Sequence, residues 1–376
     1  MRVLFVSRYD WERNWGGDTV QMLYIKKYLV SQGVFVDIEV NPFKLRQKVK
    51  EYDLIHIFNI QRLSETLFYC DIVKSAGKKL ILSPIYGEDN YTKKFFILNL
   101  IGESCVQLTK DLFRTVVGAM NIIPFTYSLS KYGYRSLKNK VKSILESADL
   151  IVPNSNYEAS LLINLINVHP SKIRIIYNGV DPGILNIKYS MDDFLNDFRV
   201  PFRGKFVLSV SRFVFRKNVL NLIKAVEGTD IKLVLIAQRS PINKLYYEKC
   251  KKIIDRSSNI YLIEKKVDTT SLVGAYKACH VHALVSYLET PGLANLEAGL
   301  FGANLVLGEC LPVREYFGEY ALYCNQEEIQ DIREKLFIAL GKDKNDALSS
   351  IIKEKYSWEK IGKHYLDAYK SLYEKG

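Results

Sequence analysis

Two groups of charged residues flank turns in the second half of the chain. The stretch SYLETPGLANLEAGLFG places Glu289 and Glu297 on either side of a Pro-Gly turn. Two such carboxylates could form an acid–base pair, bind a metal ion or accept hydrogen bonds from a substrate's hydroxyl groups. The stretch SVSRFVFRKN places Arg212, Arg216 and Lys217 on a loop between a predicted strand and a predicted helix. These cations could bind phosphate oxygens, and a solvated basic loop is the alternative interpretation.

A glycine pair, Gly16-Gly17, stands between the first predicted strand and the first predicted helix. Glycines there allow close approach of the backbone to a ligand, and the N–H groups of a helix start attract anions such as a diphosphate. The segment lacks the GxGxxG spacing of a dinucleotide site and the GK[ST] of a P-loop, which argues against nicotinamide and ATP chemistry. A plain tight turn is the alternative.

The elements that must position these residues form two series of short apolar runs alternating with helical stretches. The first series runs from RVLFVS at 2–7 to RIIYNG at 174–179, and the second from KFVLSVS at 205–211 to ALYC at 321–324. Each pattern predicts a parallel sheet covered by helices on both faces. The fold class predicted is therefore α/β, with two doubly wound, Rossmann-like domains.

The segment rich in Pro, Gly and acidic residues around position 190 predicts the connection between the domains. We expect an N-terminal domain at 1–190 and a C-terminal domain at 191–356. Ligands of such sheets bind beyond the carboxyl ends of the strands, so the cleft between the domains is the expected active site.

Composition narrows the class of protein. With 376 residues, 48% hydrophobic and 25% charged, the chain resembles an ordinary globular protein. It has no apolar run long enough for a membrane span, and its N-terminus meets charge too early for a signal peptide, which predicts a cytoplasmic protein. The six cysteines are scattered, so we expect buried thiols and neither a disulfide framework nor a metal site.

The net charge of +12 is concentrated in the segment 91–145, which has nine Lys or Arg residues against two acidic ones. Its aromatic and aliphatic residues are typical of a helical surface on anionic lipid, at the inner face of a membrane. A solvated helical insert is the alternative. Nucleic acid is not an expected partner, because no binding motif accompanies the charge.

Several motifs stand in the order typical of one known family. SRFVFRKN resembles the R-x4-K element, and ETPGLANLEAGLFG the E-x7-E element, of the retaining family 4 glycosyltransferases of GT-B fold. GGD at 16–18, LIVPNSNYEASLL at 150–162, RIIYNGVD at 174–181 and YSWEKIGKHYLDAYKSLY at 356–373 also have counterparts there. The resemblance spans nearly the whole chain.

The resemblance implies transfer of a sugar from a UDP-, GDP- or dTDP-linked donor, with retention at the anomeric carbon and without a metal ion or cofactor. The acceptor would be a saccharide or a lipid-linked saccharide in surface polysaccharide or glycolipid biosynthesis. It further implies that the C-terminal helix, within 357–376, crosses back to the N-terminal, acceptor-side domain.

The resemblance also implies roles for single residues. Arg212 and Lys217 would neutralise the diphosphate, Glu289 would hold the donor sugar, and Glu297 would accept hydrogen bonds from the ribose. The backbone N–H groups of Gly292 and Leu293 would form a second anion site. Gly16 and Gly17 would close the cleft from the other domain.

The chain departs from the family after its fourth strand. Many relatives carry a histidine there, near the donor sugar, whereas this chain reads LILSPIYGEDN. A subset of the family resembles this chain in combining SPIY with ETPGLANLEA. Asp18, Tyr86 and Glu88 are the candidate reaction-centre contacts.

Two other functions are consistent with the same motifs. The chain could be a non-catalytic scaffold subunit that binds sugar nucleotides and lost its chemistry with the histidine. A GT-B epimerase or phosphorylase would share the fold, but the chain lacks the pyridoxal-phosphate lysine motif of the phosphorylases, and its E-x7-E element argues against the epimerases.

Overall fold

The computed structural model of the chain describes residues 1–13, 15–60, 62–87, 137–239 and 243–374. The described chain forms two compact units. Unit 1 comprises Met1–Tyr177 and Glu359–Gly376, and unit 2 comprises Asn178–Trp358.

Unit 1 is built on a parallel sheet with the strand order β2-β1-β3-β4-β5. Its strands are β1 (Arg2–Val6), β2 (Phe35–Ile38), β3 (Leu54–Phe58), β4 (Lys79–Ser83) and β5 (Leu150–Ile151). All five residues of β3 are buried, as expected for a parallel sheet covered on both faces. The order of strands reverses between β1 and β3, which makes the edge beyond their carboxyl ends the switch point of this sheet.

Helices follow the strands of unit 1. They are α1 (Gly17–Ser31), α2 (Pro42–Lys48), α3 (Leu63–Ser75), α4 (Leu137–Ser147) and α5 (Asn156–Ile166). The start of α5 is fixed by Ser155, whose hydroxyl accepts a hydrogen bond from the backbone N–H of Glu158 at 3.0 Å.

The C-terminal helix, Trp358–Tyr373, packs into unit 1. The hydroxyl of Tyr369 lies in hydrogen-bond contact with Nδ1 of His56, whose Nε2 lies 2.9 Å from Oγ of Ser83. His56 is fully buried, and burial lowers its pKa well below the usual value, so it is a neutral packing residue.

One predicted strand of the first series is absent. RIIYNG at 174–179 forms no strand, and only a parallel bridge joins Ile173 to Ile151 in the short β5. The prediction was wrong because Pro153, the partner of this segment beyond β5, has no N–H to continue a ladder. Its carbonyl still accepts a bond from the N–H of Ile176 at 3.0 Å.

Unit 2 is built on a second parallel sheet with the strand order β11-β10-β9-β6-β7-β8. Its strands are β6 (Val207–Arg212), β7 (Leu233–Gln238), β8 (Ile260–Ile263), β9 (Val281–Leu284), β10 (Asn304–Gly308) and β11 (Ala321–Cys324). The order reverses between β6 and β9. The loops that follow these two strands therefore lie at the switch point, where doubly wound sheets bind their ligands.

The helices of unit 2 alternate with these strands. They are α6 (Met191–Asp197), α7 (Val219–Val226), α8 (Lys244–Ile254), α9 (Thr269–Ala278), α10 (Leu293–Leu300), α11 (Leu311–Phe317), α12 (Ile329–Gly341) and α13 (Asp346–Tyr356).

Candidate functional site

The loops after β6 and β9 lie against each other. The backbone N–H of Tyr287 donates to the carbonyl of Arg216 at 2.9 Å. The rings of Phe215 and Tyr287 stack with their centroids 5.4 Å apart. The two groups of charged residues predicted from the sequence therefore meet at one edge of the sheet.

Asn218 fixes the turn between β6 and α7. Its backbone is left-handed, with φ of 51°, a conformation that asparagine tolerates better than most residues. Its side-chain amide donates to the carbonyls of Val285 at 3.1 Å and Gln326 at 2.7 Å. Sequence reasoning missed this residue, because its side chain does not cap α7 and its partners lie on distant loops.

Lys217 and Glu289 form an ion pair across the two loops. Glu289 is 8% exposed, and a guanidinium nitrogen of Arg216 lies 3.8 Å from the same carboxylate oxygen. Burial raises the pKa of Glu289, but the charges of Lys217 and Arg216 outweigh it and hold the pKa below its usual value. Glu289 is therefore ionised at neutral pH, and it is bound as an anion and not poised as a general acid.

Arg212 ends β6 on the exposed side of the same loop. Burial lowers the pKa of Lys217, and the positive charges of Arg216 and Arg212 act in the same direction, while Glu289 opposes them. Lys217 and Arg216 thus flank one ionised carboxylate, and Arg212 adds a third positive charge at the end of β6. This excess of positive charge suits a polyanionic ligand.

A tight turn links Glu289 to α10. Gly292 has φ of +79°, and a Cβ atom there would lie 2.8 Å from both Nδ2 of Asn295 and Cγ of Glu289. The amide of Asn295 donates to the carbonyl of Pro291 at 2.8 Å. Because Gly292 has no side chain to cap the helix, the N–H groups that begin with Leu293 remain a place where an anion can be held.

Glu297 lies on α10, the helix that begins directly after this turn. The hydroxyl of Tyr276, on α9, donates to its Oε2 at 2.7 Å. Burial raises the pKa of Glu297 to about 7. Tyr276 was missed in the sequence, where nothing distinguishes it from a core aromatic residue.

Gly16, Gly17 and Asp18 lie together at the switch point of unit 1. Gly16 precedes α1, and a Cβ atom on it would lie 2.6 Å from Oδ1 of Asp18. Burial raises the pKa of Asp18, but Arg8 outweighs it and holds the pKa below its usual value. Arg8 reaches Asp18 at 2.6 Å through Nε, and Asn59 donates to the same carboxylate at 3.1 Å. The start of α1 therefore already carries a carboxylate.

Tyr86 stands in the loop after β4 and is held by a buried acid. Its backbone N–H donates to Glu158 at 2.6 Å, and the N–H of Asn154 donates to the other oxygen of that carboxylate at 2.7 Å. Glu158 was also missed in the sequence. Ile85, beside Tyr86, has a left-handed backbone with φ of 51°. Glu88 lies outside the described residues.

Two predictions, a lipid-facing surface at 91–145 and the absence of a metal site, can be compared with the structure only within the described residues. Of the segment 91–145, only the part from 137 onward lies within the described residues, in α4. No helix of the described chain is long and apolar enough to cross a membrane. Within those same residues, no group of three or more His, Cys, Asp or Glu side chains could hold a metal ion.

Two family models match the chain. The model for Glycosyl transferases group 1 matches residues 192–358, and the model for Glycosyltransferase Family 4 matches residues 121–183. The structure also superposes on the crystal structure of HepE of Anabaena in complex with UDP and glucose, with a TM-score of 0.71 and 14% identity over 99% of this chain and 100% of that one. The chain has the GT-B fold, and two of its regions match glycosyltransferase family models. The predicted GT-B fold is thereby confirmed.

Two relatives in sequence are also named as glycosyltransferases. An uncharacterized glycosyltransferase of Methanocaldococcus jannaschii is 26% identical over 247 residues, which are 62% of each chain. A Campylobacter jejuni protein named N-acetylgalactosamine-N,N'-diacetylbacillosaminyl-diphospho-undecaprenol 4-alpha-N-acetylgalactosaminyltransferase is 35% identical over 112 residues, 29% of each chain. The matches thus span less than two thirds of either relative's length.

The charged site lies wholly inside the region matched by the model for Glycosyl transferases group 1. Arg212, Lys217, Glu289 and Glu297 all fall between 192 and 358. The Arg8–Asp18 network of unit 1 lies outside both matched regions.

Proposed function

We propose that the chain transfers a sugar from a nucleotide-diphosphate donor to a saccharide or lipid-linked acceptor, with retention of the anomeric configuration. The observation that carries this proposal is the Lys217–Glu289 pair at the switch point of unit 2. It places a cation for the diphosphate beside a carboxylate for hydroxyl groups.

The charges of the site support a diphosphate leaving group. Arg212, Arg216 and Lys217 bring three positive charges to one loop, and Glu289 returns one negative charge. A nucleoside diphosphate would neutralise the remaining excess, and the N–H groups at the start of α10 would donate to its oxygens. Negative charge grows on the diphosphate as the sugar departs, so these groups would stabilise the transition state more than the bound donor.

The reaction exchanges one bond at the anomeric carbon for another. The bond from this carbon to the diphosphate oxygen breaks, and a bond to the acceptor's hydroxyl oxygen forms. The electron pair of the broken bond stays on the diphosphate, and the acceptor's proton passes to the departing phosphate or to solvent. No cofactor is needed for this balance.

Each carboxylate has a role that suits its surroundings. Glu289 is ionised and can accept hydrogen bonds from hydroxyl groups of the donor sugar, while Lys217 shifts part of its contact to the phosphate. Glu297 accepts from Tyr276 through one oxygen, and its carboxylate can accept from the ribose hydroxyls of the nucleotide.

The substrate classes follow from chemistry and from the relatives. HepE binds UDP and glucose in its crystal structure, which favours a UDP-sugar as the first donor to test. The Campylobacter relative is named for a diphospho-undecaprenol-linked acceptor, which favours a lipid-linked saccharide. An acceptor at the membrane surface, as in surface polysaccharide or glycolipid assembly, would also explain the basic segment 91–145, which would bind anionic lipid there.

The proposal is tested with a panel of UDP-, GDP- and dTDP-sugars and a membrane extract that supplies acceptors. We expect one donor to yield equal amounts of nucleoside diphosphate and glycosylated product. Proton NMR of the product gives its anomeric configuration, and inversion would contradict the retaining mechanism.

A non-catalytic scaffold is the second candidate, because SPIY replaces the expected histidine and the loop is held through the backbone of Tyr86. Thermal stabilisation by a nucleotide without turnover of any donor would favour the scaffold. Turnover would exclude it.

A further inference from the structure

The loop after β4 contains a strained residue. Ile85 has a left-handed backbone with φ of 51°. A β-branched residue rarely adopts this conformation, because its Cβ lies too close to the following carbonyl oxygen. Such strain persists only where the surrounding structure holds the residue in place, and it is concentrated at functional sites. The neighbours of Ile85 must therefore supply the restraint.

Backbone hydrogen bonds join the beginning of this loop to the loop after β3. The N–H of Asn59 donates to the carbonyl of Ser83 at 2.8 Å, and the N–H of Ile60 donates to the carbonyl of Pro84 at 3.1 Å. The side chain of Asn59 also donates to Asp18 on α1 at 3.1 Å. These bonds tie the loop to the switch point of unit 1, where doubly wound sheets bind their ligands.

Glu158 holds the loop on the other side of Ile85. Its Oε1 accepts a hydrogen bond from the backbone N–H of Tyr86 at 2.6 Å, and its Oε2 accepts one from the N–H of Asn154, after β5, at 2.7 Å. Glu158 is buried, and no Lys or Arg of the described chain forms an ion pair with it. Both oxygens of this carboxylate are thus bonded to main-chain groups of two loops.

The position of Glu158 is itself fixed by α5. Ser155 caps this helix, and its hydroxyl accepts a hydrogen bond from the N–H of Glu158 at 3.0 Å. The carboxylate therefore reaches from the first turn of a helix to the peptide group between Ile85 and Tyr86. The ring of Tyr86 packs against the core of unit 1, which fixes the same peptide group from its other end.

Stability alone does not account for this arrangement. A buried carboxylate without a cation costs free energy, and so does a β-branched residue in the left-handed region. A glycine at position 85 would remove the strain. Two unfavourable features meet instead at one peptide group, at the edge of the sheet where ligands bind.

We infer that Glu158 is a positioning residue for sugar transfer. It acts through the peptide group between Ile85 and Tyr86, which it holds in the geometry that turnover of the donor requires. This inference rests on the proposed function. It gives the loop SPIY a role that depends on the geometry of its backbone.

The test compares Glu158→Gln with Asp149→Asn. Asp149 is the matched control, because its carboxylate accepts a hydrogen bond from the N–H of Leu80 at 2.8 Å, at the amino end of β4. Steady-state rates with the accepted donor are measured at pH 8, above the pKa of about 7 to which burial raises Glu158. We expect kcat to fall about 10- to 100-fold in Glu158→Gln, with donor KM and nucleotide affinity changed by less than about twofold. Asp149→Asn should leave all three unchanged.

A second substitution separates positioning from stability. Glycine adopts the left-handed conformation without the steric cost of a Cβ atom, so Ile85→Gly lets the loop keep its geometry without the carboxylate. We expect the double variant Glu158→Gln/Ile85→Gly to recover most of the lost kcat. Glycine increases the freedom of the unfolded chain, so a gain in stability does not explain this recovery. Thermal unfolding checks that each variant is folded.

A pH profile makes the same comparison with Glu158 intact. Between pH 8 and pH 6 this carboxylate takes up a proton, and the protonated acid has fewer lone pairs for the two N–H groups. Tyr365 of the C-terminal helix interacts with Glu158, but burial raises the pKa of Tyr365, so it stays neutral in this range. We expect kcat to fall more steeply in the wild type than in Ile85→Gly. Glu297 titrates in both proteins, so parallel profiles would contradict the inference.

Two other results would overturn it. One is a kcat of Glu158→Gln within about twofold of that of Asp149→Asn. The other is a loss of kcat that Ile85→Gly does not relieve, because Glu158 would then act through some other group.

The proposed function fails by a different result. If the wild type turns over no donor, the transferase proposal fails, and the role of Glu158 fails with it. If the wild type transfers a sugar and Glu158→Gln matches Asp149→Asn, only the role of Glu158 fails.

Discussion

Lys217 and Glu289 pair across 72 positions of sequence and join the loop after β6 to the loop after β9. The pair is largely withdrawn from water, with 14% and 11% of the two side chains exposed. It therefore has two roles: it shapes the site, and it holds the charges from which we derive the function.

The structural role predicts non-additive stability. Removing one partner of a buried ion pair costs about 3–5 kcal/mol, because the other charge is left uncompensated. We expect Lys217→Met and Glu289→Gln each to lower the free energy of unfolding by a large part of this amount, and the double variant to recover most of it. Urea denaturation measures all four proteins. Strictly additive losses would mean that the two side chains do not interact in solution.

The close packing around Gly292 predicts that a larger residue there weakens nucleotide binding. In Gly292→Ala, the new Cβ would lie 2.8 Å from Glu289 and Asn295 in a backbone with φ of +79°. Gly204→Ala is the matched control, since Gly204 has φ of +82° and no atom within 4 Å of its Cβ position. Both should lose about 1–3 kcal/mol of stability from the backbone alone. Only Gly292→Ala should also weaken nucleotide binding, measured by calorimetry, and equal binding by both variants would contradict the assignment.

The raised pKa of Glu297 predicts how the free energy of unfolding changes with pH. Burial raises its pKa to about 7 in the folded protein, above the usual 4.5, so the folded state favours the protonated acid. The stability that protonated Glu297 contributes is complete below pH 4.5 and is lost as the pH rises through 7. This loss lowers the free energy of unfolding by at most about 3 kcal/mol.

We therefore expect the unfolding free energy of the wild type, measured in urea from pH 5 to pH 8, to fall more steeply than that of Glu297→Gln. Glu158, whose pKa is also raised to about 7, is present in both proteins, so their difference isolates Glu297. Parallel pH profiles would mean that Glu297 titrates normally.

The sequence predicted the parts of this structure that depend on local pattern. Alternating apolar runs gave β6, β9 and their neighbours, and the turn at Gly292 follows from Pro-Gly before an apolar helix. The sequence could not predict that Lys217 and Glu289 touch each other, because that depends on strand order. Nor could it predict Asn218, Tyr276 and Glu158, whose partners come from distant loops or helices. The strand expected at 174–179 failed for a local reason, the missing N–H of Pro153.

Removal of metal ions tests the electrostatic account. Because cations of the chain would neutralise the diphosphate, we expect EDTA to leave the rate of donor turnover within about twofold of the untreated enzyme. The assay is run with enzyme dialysed against EDTA, with and without added Mg²⁺ or Mn²⁺. A rate that collapses and is rescued by either ion would show that a metal carries the charge assigned to Lys217 and Arg212.

The central claim is that Lys217 stabilises the departing diphosphate. The most direct measurement is the initial rate of nucleoside diphosphate release from the accepted donor, for the wild type, Lys217→Ala and Lys251→Ala. Lys251 is the control, because it pairs with Asp255 at the surface end of α8. We predict a rate about 100- to 1,000-fold lower for Lys217→Ala and an unchanged rate for Lys251→Ala. A rate for Lys217→Ala within a few-fold of the wild type would contradict the account.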